Sequence, residues 1–161
     1  MLSIEILINR FFEWSNTTYY EYEKNKRLNT DEPPFYFPDF VMLRTECEKK
    51  INSEMNDQEM DLFLIGMALD NEAEIILDSC KDIGTEAFLA RLVQKGCQHP
   101  QPDARWQIAE LLRCRNIPSR QEYLLHLCGD TNEYVRRRAS NSLAYIGEQE
   151  KGQGDGSVVP E

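Results

Sequence analysis

Apolar and small residues fall at Val135, Ala139, Leu143 and Ile146, after the turn formers Gly129, Asp130, Thr131 and Asn132. Steps of four, four and three place them on one face of a helix, which Gly147 is expected to end as a left-handed cap. A helix so short cannot bury its stripe unaided, and the chain supplies degenerate copies to stack on it. About 31 residues earlier, Asp103 to Leu112 overlays the segment that begins at Tyr134, with Arg105 on Arg136, Ile108 on Ala139 and Leu112 on Leu143. About 63 residues before Gly147 lies Gly84, and there Ile76, Cys80 and Ile83 overlay Ala139, Leu143 and Ile146. A second amphipathic segment precedes each copy. The pattern therefore predicts an all-α chain with helical hairpins repeating every 31 to 32 residues.

The rest of the chain divides around that region. Ser3 caps an expected helix from Ile4 to about Leu28, with Ile4, Leu7, Ile8, Phe11 and Trp14 as its stripe. That helix is about 35 Å long at ~1.5 Å per residue. Beyond its stripe, Tyr19, Tyr20 and Tyr22 form an aromatic band, either part of a cap over the open end of the stack or a partner-binding patch. Residues 29–37 carry Pro33 and Pro34 among turn formers and so form a loop, with Phe35, Tyr36 and Phe37 to pin it. Pro38 then suits the start of a helix whose stripe is Phe40, Leu43, Cys47 and Ile51. Asn56 and Glu59 have capping-box spacing ahead of Met60 to Leu69; Asp70 and Asn71 turn the chain into Glu72 to Ile83. Thr85 opens Glu86 to Lys95, with Phe88, Leu89, Leu92 and Val93 inward, and Ser119 with Glu122 form a second box before Tyr123, Leu124 and Leu127. The organisation expected is a helical cap at 1–56, repeats at 57–147, and a glycine-rich disordered tail at 148–161.

The sequence Val135-Arg-x-x-Ala139-x-x-x-Leu143 resembles the second helix of a HEAT-type repeat. The resemblance spans roughly Asp57 to Gly147: good in the last copy, fair in the middle one, poor in the first, where Ala73-Glu74 stands in place of Val-Arg. It implies an α-solenoid of about three hairpins, whose second helices line a concave groove. With the stripe inward, Arg137, Asn141 and Tyr145 face away from the core. The same offsets give Trp106 and Glu110 in the middle copy, and Glu74, Asp78 and Asp82 in the first. The expected groove thus runs from three carboxylates, past a tryptophan, to arginine and tyrosine. Trp106 either faces that groove or wedges between repeats.

Charge sharpens this picture. The net charge is −10, but residues 1–85 hold 18 acids against 8 bases, whereas residues 86–147 hold 6 against 9. Such polarity steers charged partners. No stretch reaches the ~18 apolar residues of a membrane span, and Glu5, Asn9 and Arg10 interrupt the N-terminus, so no secretory signal is expected. Five scattered cysteines fit reduced thiols in a cytoplasmic protein.

Candidate chemistry is thin. Cys97-x-His99 and His126-x-Cys128 lack the i, i+4 spacing of two ligands on one helical face, and no C-x-x-C is present, so no metal or other cofactor is expected. Neither a phosphate-binding glycine loop nor a nucleophile elbow occurs, and the chain is not expected to be an enzyme. Size, acidity and repeat architecture resemble the small immunity proteins encoded beside bacterial toxins, including those of contact-dependent growth inhibition. That resemblance implies a protein-binding antitoxin whose carboxylates cover the basic face of a toxin domain, often a nuclease. Glu74, Asp78, Asp82, Trp106 and Glu110 would form the contact, with Arg137, Asn141, Tyr145, Tyr19 and Tyr22 beside them. The alternatives are a nucleic-acid binder using Arg105, Arg113, Arg115, Arg120, Arg136, Arg137 and Arg138, and a generic scaffold or adaptor, including a repeat lyase for bilin pigments. The carboxylate row in the same groove argues against phosphate.

Overall fold

The structure, a computed structural model, describes residues 2–18, 21 and 37–154. Among them are eight helices and no strand: α1 (Ile4–Ser15), α2 (Phe40–Lys50), α3 (Asp57–Leu69), α4 (Ile75–Ile83), α5 (Glu86–Gly96), α6 (Pro102–Cys114), α7 (Arg120–Cys128) and α8 (Glu133–Gly154). Tyr19, Tyr22 and the loop before Phe37 lie outside the described residues.

Local chemistry explains the boundaries. Ser3 accepts the Ile6 amide, as its position implies, but α1 stops at Ser15 instead of running to Leu28. Asn16 turns left-handed there (φ 50°), its amide closing on the Glu13 and Phe12 carbonyls, and asparagine tolerates that conformation. Directly after, the Thr18 hydroxyl accepts the Glu21 amide and Glu21 accepts the Thr18 amide, a reciprocal exchange of the capping-box kind. The Asn56–Glu59 box forms as expected, both bonds at 2.9 Å. The Ser119–Glu122 box does not: Ser119 sits at φ 62° and its hydroxyl caps nothing. At the far end α8 passes through Gly147 and stays helical to Gly154, so neither the cap nor a disordered 148–154 is found. A helical glycine costs only about 1 kcal/mol, and Glu150 is tied back to α7 by Gln121 at 3.1 Å.

Two rows of helices share one core. The second-row helices α2, α4, α6 and α8 pack side by side in chain order, as do α1, α3 and α5 in the first row, while α3 reaches across to α6. Phe40, Leu43, Cys47 and Ile51 are buried as the pattern implies, as are Val135, Ala139 and Ile146, with Leu143 half-buried. Ile83 departs from its stripe and is 58% exposed. Gly96 lets α5 and α6 touch: a Cβ there would collide with Ile108 Cγ1.

Hydrogen bonds between residues 31 to 34 apart recur along the chain. The Ser79 hydroxyl donates to Glu48, and Asn52 bridges the Ile83 carbonyl and the Thr85 amide at 2.8 and 2.7 Å. Arg115 donates to the Lys81 and Gly84 carbonyls. Two arginines of the second row reach the aspartate that ends the next first-row helix: Arg44 to Asp70 at 2.6 Å, and Arg105 to Asp130 through two bonds of 2.7 and 2.9 Å. Burial pushes the Asp70 carboxyl up, against the pull of the Ile76 amide and Arg44. Burial pushes Asp130 the same way, but the bonds from Arg105 and the Asn132 amide outweigh it and leave this carboxyl below the ordinary aspartate value.

Candidate protein-docking surface

Of the residues singled out by the sequence, Asp78 and Asp82 are exposed on α4 and Arg137, Asn141 and Tyr145 on α8, while Glu74 is half-buried and Trp106 and Glu110 of α6 are buried. On α4, Ile75, Asp78 and Asp82 follow at i, i+3 and i+7, so they share a stripe, and all three are exposed. The Asp78 side chain is 63% exposed and takes the Lys81 ammonium at 3.1 Å. Exposed Ile83 flanks the same stripe, so apolar side chains bracket the two carboxylates. Such a mixture suits a contact with protein better than a purely solvated face does.

Glu74 opens α4 in a left-handed conformation (φ 55°, ψ 23°), uncommon for a residue with a long side chain. Its carboxyl is half-buried, and burial raises its pKa; Lys81 and Arg138 pull it down, whereas Asp78 and Glu110 push it further up. Five charged groups from α4, α6 and α8 therefore act on one another, and helical offset in the sequence had placed three of them, Glu74, Asp78 and Glu110, on a common surface.

Beneath this surface lies an aromatic–arginine layer. Trp106 is 4% exposed, so it does not face a groove but wedges between α6 and α8. Its indole N–H donates to Asp103 at 3.0 Å, and Tyr134 meets its ring edge-to-face at 5.5 Å. The Arg138 guanidinium lies 5.0 Å from the Trp106 ring centroid and 5.7 Å from that of Tyr134. It also pairs with Glu110 at 3.0 Å. Glu110 is 8% exposed, so this carboxylate holds Arg138 in place and is not itself surface. Arg137, Asn141 and Tyr145 are exposed on α8, with Arg137 over Tyr134 at 5.0 Å and Arg113 over Tyr145 at 4.3 Å. Sequence reasoning missed Tyr134 and the exposed isoleucines. The signal for Tyr134 was its place four residues before Arg138, which puts both on one helical face.

Among the described residues no three of His, Cys, Asp and Glu are placed to hold a metal. The ring of His99 is engaged on both sides, with Nδ1 accepting the Gln101 amide at 3.1 Å and Nε2 3.0 Å from Asp61. Burial pushes the Cys80 thiol up to about 12; burial and the nearby Asp130 charge do the same for Cys97. Cys47 is raised further still, chiefly by burial. No described helix is long and apolar enough to cross a membrane. No family model matches the chain, and no curated protein or solved structure resembles it significantly.

Proposed function

We propose that the chain is a HEAT-like α-solenoid that binds a basic protein partner through the α4 face, and that it serves as a cytoplasmic immunity protein against a toxin domain. The observation that carries the reading is the exposed Ile75–Asp78–Asp82 stripe beside the half-buried Glu74. A lysine or arginine docked there pairs with the exposed Asp78 and Asp82, while Ile75 and Ile83 supply apolar contact. Charge of this kind acts mainly on encounter rate and partner choice. The recurring cross-unit bonds near 31 residues and the two helical rows support the repeat architecture.

The nucleic-acid alternative loses most of its cations. Arg105 is held by Asp130, Arg115 by two carbonyls, Arg136 by the Asp130 carbonyl and Arg138 by Glu110. Arg120 faces Glu150 at 4.0 Å. Only Arg113 and Arg137 of that set remain for phosphate, and both lie over tyrosine rings.

The test begins with the genes flanking the coding sequence. A basic domain encoded there, inactivated at its own catalytic residues, is mixed with the chain in stopped flow at several salt concentrations. Tight capture is expected, and Asp78→Lys with Asp82→Lys should slow association by about tenfold or more and flatten its salt dependence. An unchanged on-rate removes the α4 face as the contact. Absence of any neighbouring basic domain removes the immunity role, and tight, salt-sensitive binding of a labelled tRNA or duplex would instead reinstate the nucleic-acid reading.

A further inference from the structure

A second surface, on the other row of helices, has the form of a binding trough. Between α1 and α3 runs an open groove of about 810 Å³, floored by Ile8, Phe12, Leu62 and Ile65 and rimmed by Glu5, Glu13 and Glu21. At Glu5 and Leu62 it joins a smaller recess of about 300 Å³ lined by Leu2, Ile4 and Met55. Carboxylates dominate the edge of both. Glu46 and Glu59 of the recess are matched by Lys49 and Lys50. Among the described residues, no cation lies within ion-pairing distance of Glu5, Glu13 or Glu21. An apolar floor with an unneutralised acidic rim is complementary to a side chain arrangement that is apolar on one face and cationic at its border.

We propose that this trough docks a basic amphipathic helix of a partner protein. Its length is set by α1, whose 12 residues span ~18 Å, room for about three turns. Glu5 and Glu13 are eight residues apart on α1 and so ~12 Å apart along it. The partner helix therefore carries lysines or arginines seven or eight residues apart, with leucine-type residues between them at i, i+3 and i+4 to meet the floor. An anionic lipid surface is excluded as the occupant by the same rim. This site is independent of the α4 face: it draws on α1 and α3, and the other on α4, α6 and α8.

The probe is a fluorescein-labelled helical peptide of ~14 residues (about four turns), with leucine on one face and lysine at the border. A twin carries glutamate for lysine. Fluorescence anisotropy with the whole chain is expected to show saturable binding of the lysine peptide, weakened by salt, and none of the glutamate twin. Glu5→Lys with Glu13→Lys should weaken it by about tenfold or more, with the circular dichroism melt of the variant checked against the parent; both positions are exposed. Asp78→Lys with Asp82→Lys should leave it unchanged. The proposal is overturned if the lysine peptide does not bind, if both peptides bind equally, or if the Asp78/Asp82 pair governs binding and the Glu5/Glu13 pair does not. In that last case the α4 reading gains support while the trough falls.

Discussion

Asp130→Ala takes away three bonds at once: two from Arg105, at 2.7 and 2.9 Å, and one from the Asn132 amide at 2.8 Å. The arginine left behind is 11% exposed and the lost carboxylate 8%, so water cannot readily replace the contact. Breaking a buried ion pair from one side costs ~3–5 kcal/mol, because the surviving charge is stranded. Arg105 is not stranded completely, since its Nη1 still donates to the His99 and Pro100 carbonyls at 2.8 and 2.9 Å. The low end, about 3 kcal/mol, is therefore expected. For a chain of this size that lowers the melting midpoint by roughly 6–12 °C. Urea unfolding with an unchanged m-value is the assay, run as a double-mutant cycle with Arg105→Met. The double variant should lose far less than the two single losses added together. Arg10→Met is the control, because the Arg10–Asp39 pair at 3.2 Å is solvent-exposed and worth under ~1 kcal/mol. A loss at Asp130 no larger than at Arg10, or strictly additive losses, would refute the view that this clamp joins α6 to the α7–α8 turn.

Other consequences can be checked alongside. Gly96→Ala should cost roughly 1–3 kcal/mol, since its methyl would collide with Ile108 and with Leu64 at 3.2 Å; Leu125→Ala, on an exposed side chain, should cost little. Gln101→Leu should raise stability by about 1 kcal/mol, because the Gln101 amide is buried and neither of its polar side-chain atoms has a partner among the described residues. A thiol reagent should modify Cys114 quickly and Cys128 more slowly, and reach Cys47, Cys80 and Cys97 only on unfolding; fast modification of three or more thiols in the native chain contradicts the packing. Asp70 and Asp130 should give opposite pH signatures. The folded chain holds the Asp70 proton more tightly than the unfolded one, so that contribution is full below the ordinary aspartate range and is lost as pH rises through the folded pKa. Asp130, shifted down, contributes above the ordinary range and loses its effect as pH falls through its folded value. Urea midpoints of Asp70→Asn should thus fall further behind the parent toward acid, and those of Asp130→Asn toward neutrality; parallel curves would contradict the assignment.

Helical periodicity made the all-helical class legible, together with the burial of α2, α5 and the first half of α8. Stripes such as Phe40, Leu43 and Cys47 are long enough for one phase of 3.6 residues to win. The errors fall where one bond overrides a pattern. Tyr19 and Tyr20 extend the stripe of α1 on paper, but a left-handed Asn16 and the Thr18–Glu21 exchange end it at Ser15. Gly147 has the composition of a cap, yet Glu150 finds Gln121 and the helix continues. Among the residues proposed for partner contact, helical offset placed Asp78, Asp82, Arg137, Asn141 and Tyr145 outward, and all five are exposed. It failed for Trp106 and Glu110 because offset reports a direction from one helix axis and cannot see the neighbouring helix. Arg138 arrives from α8 at that place, and its stacking and ion pair bury both.

The junction between α4 and α6 is where the chain departs from its own rule. Arg44 and Arg105 clamp Asp70 and Asp130; the ~31-residue step between them brings Glu74 to the arginine position, and at the aspartate position it reaches Gln101 counted forward from Asp70 and His99 counted back from Asp130. Neither Glu74 nor Gln101 clamps. The Gln101 side-chain amide is buried with no partner among the described residues, and Glu74 takes a left-handed backbone that costs ~1–2 kcal/mol for such a residue. Stability alone would favour the arginine–aspartate pair found on either side. What the departure gives instead is a half-buried carboxylate at the start of the one second-row helix whose exposed stripe mixes acids with isoleucine. Local rules broken without local compensation mark sites where something other than folding is served. The missing clamp and the proposed contact face are the same feature, seen once from the core and once from solvent.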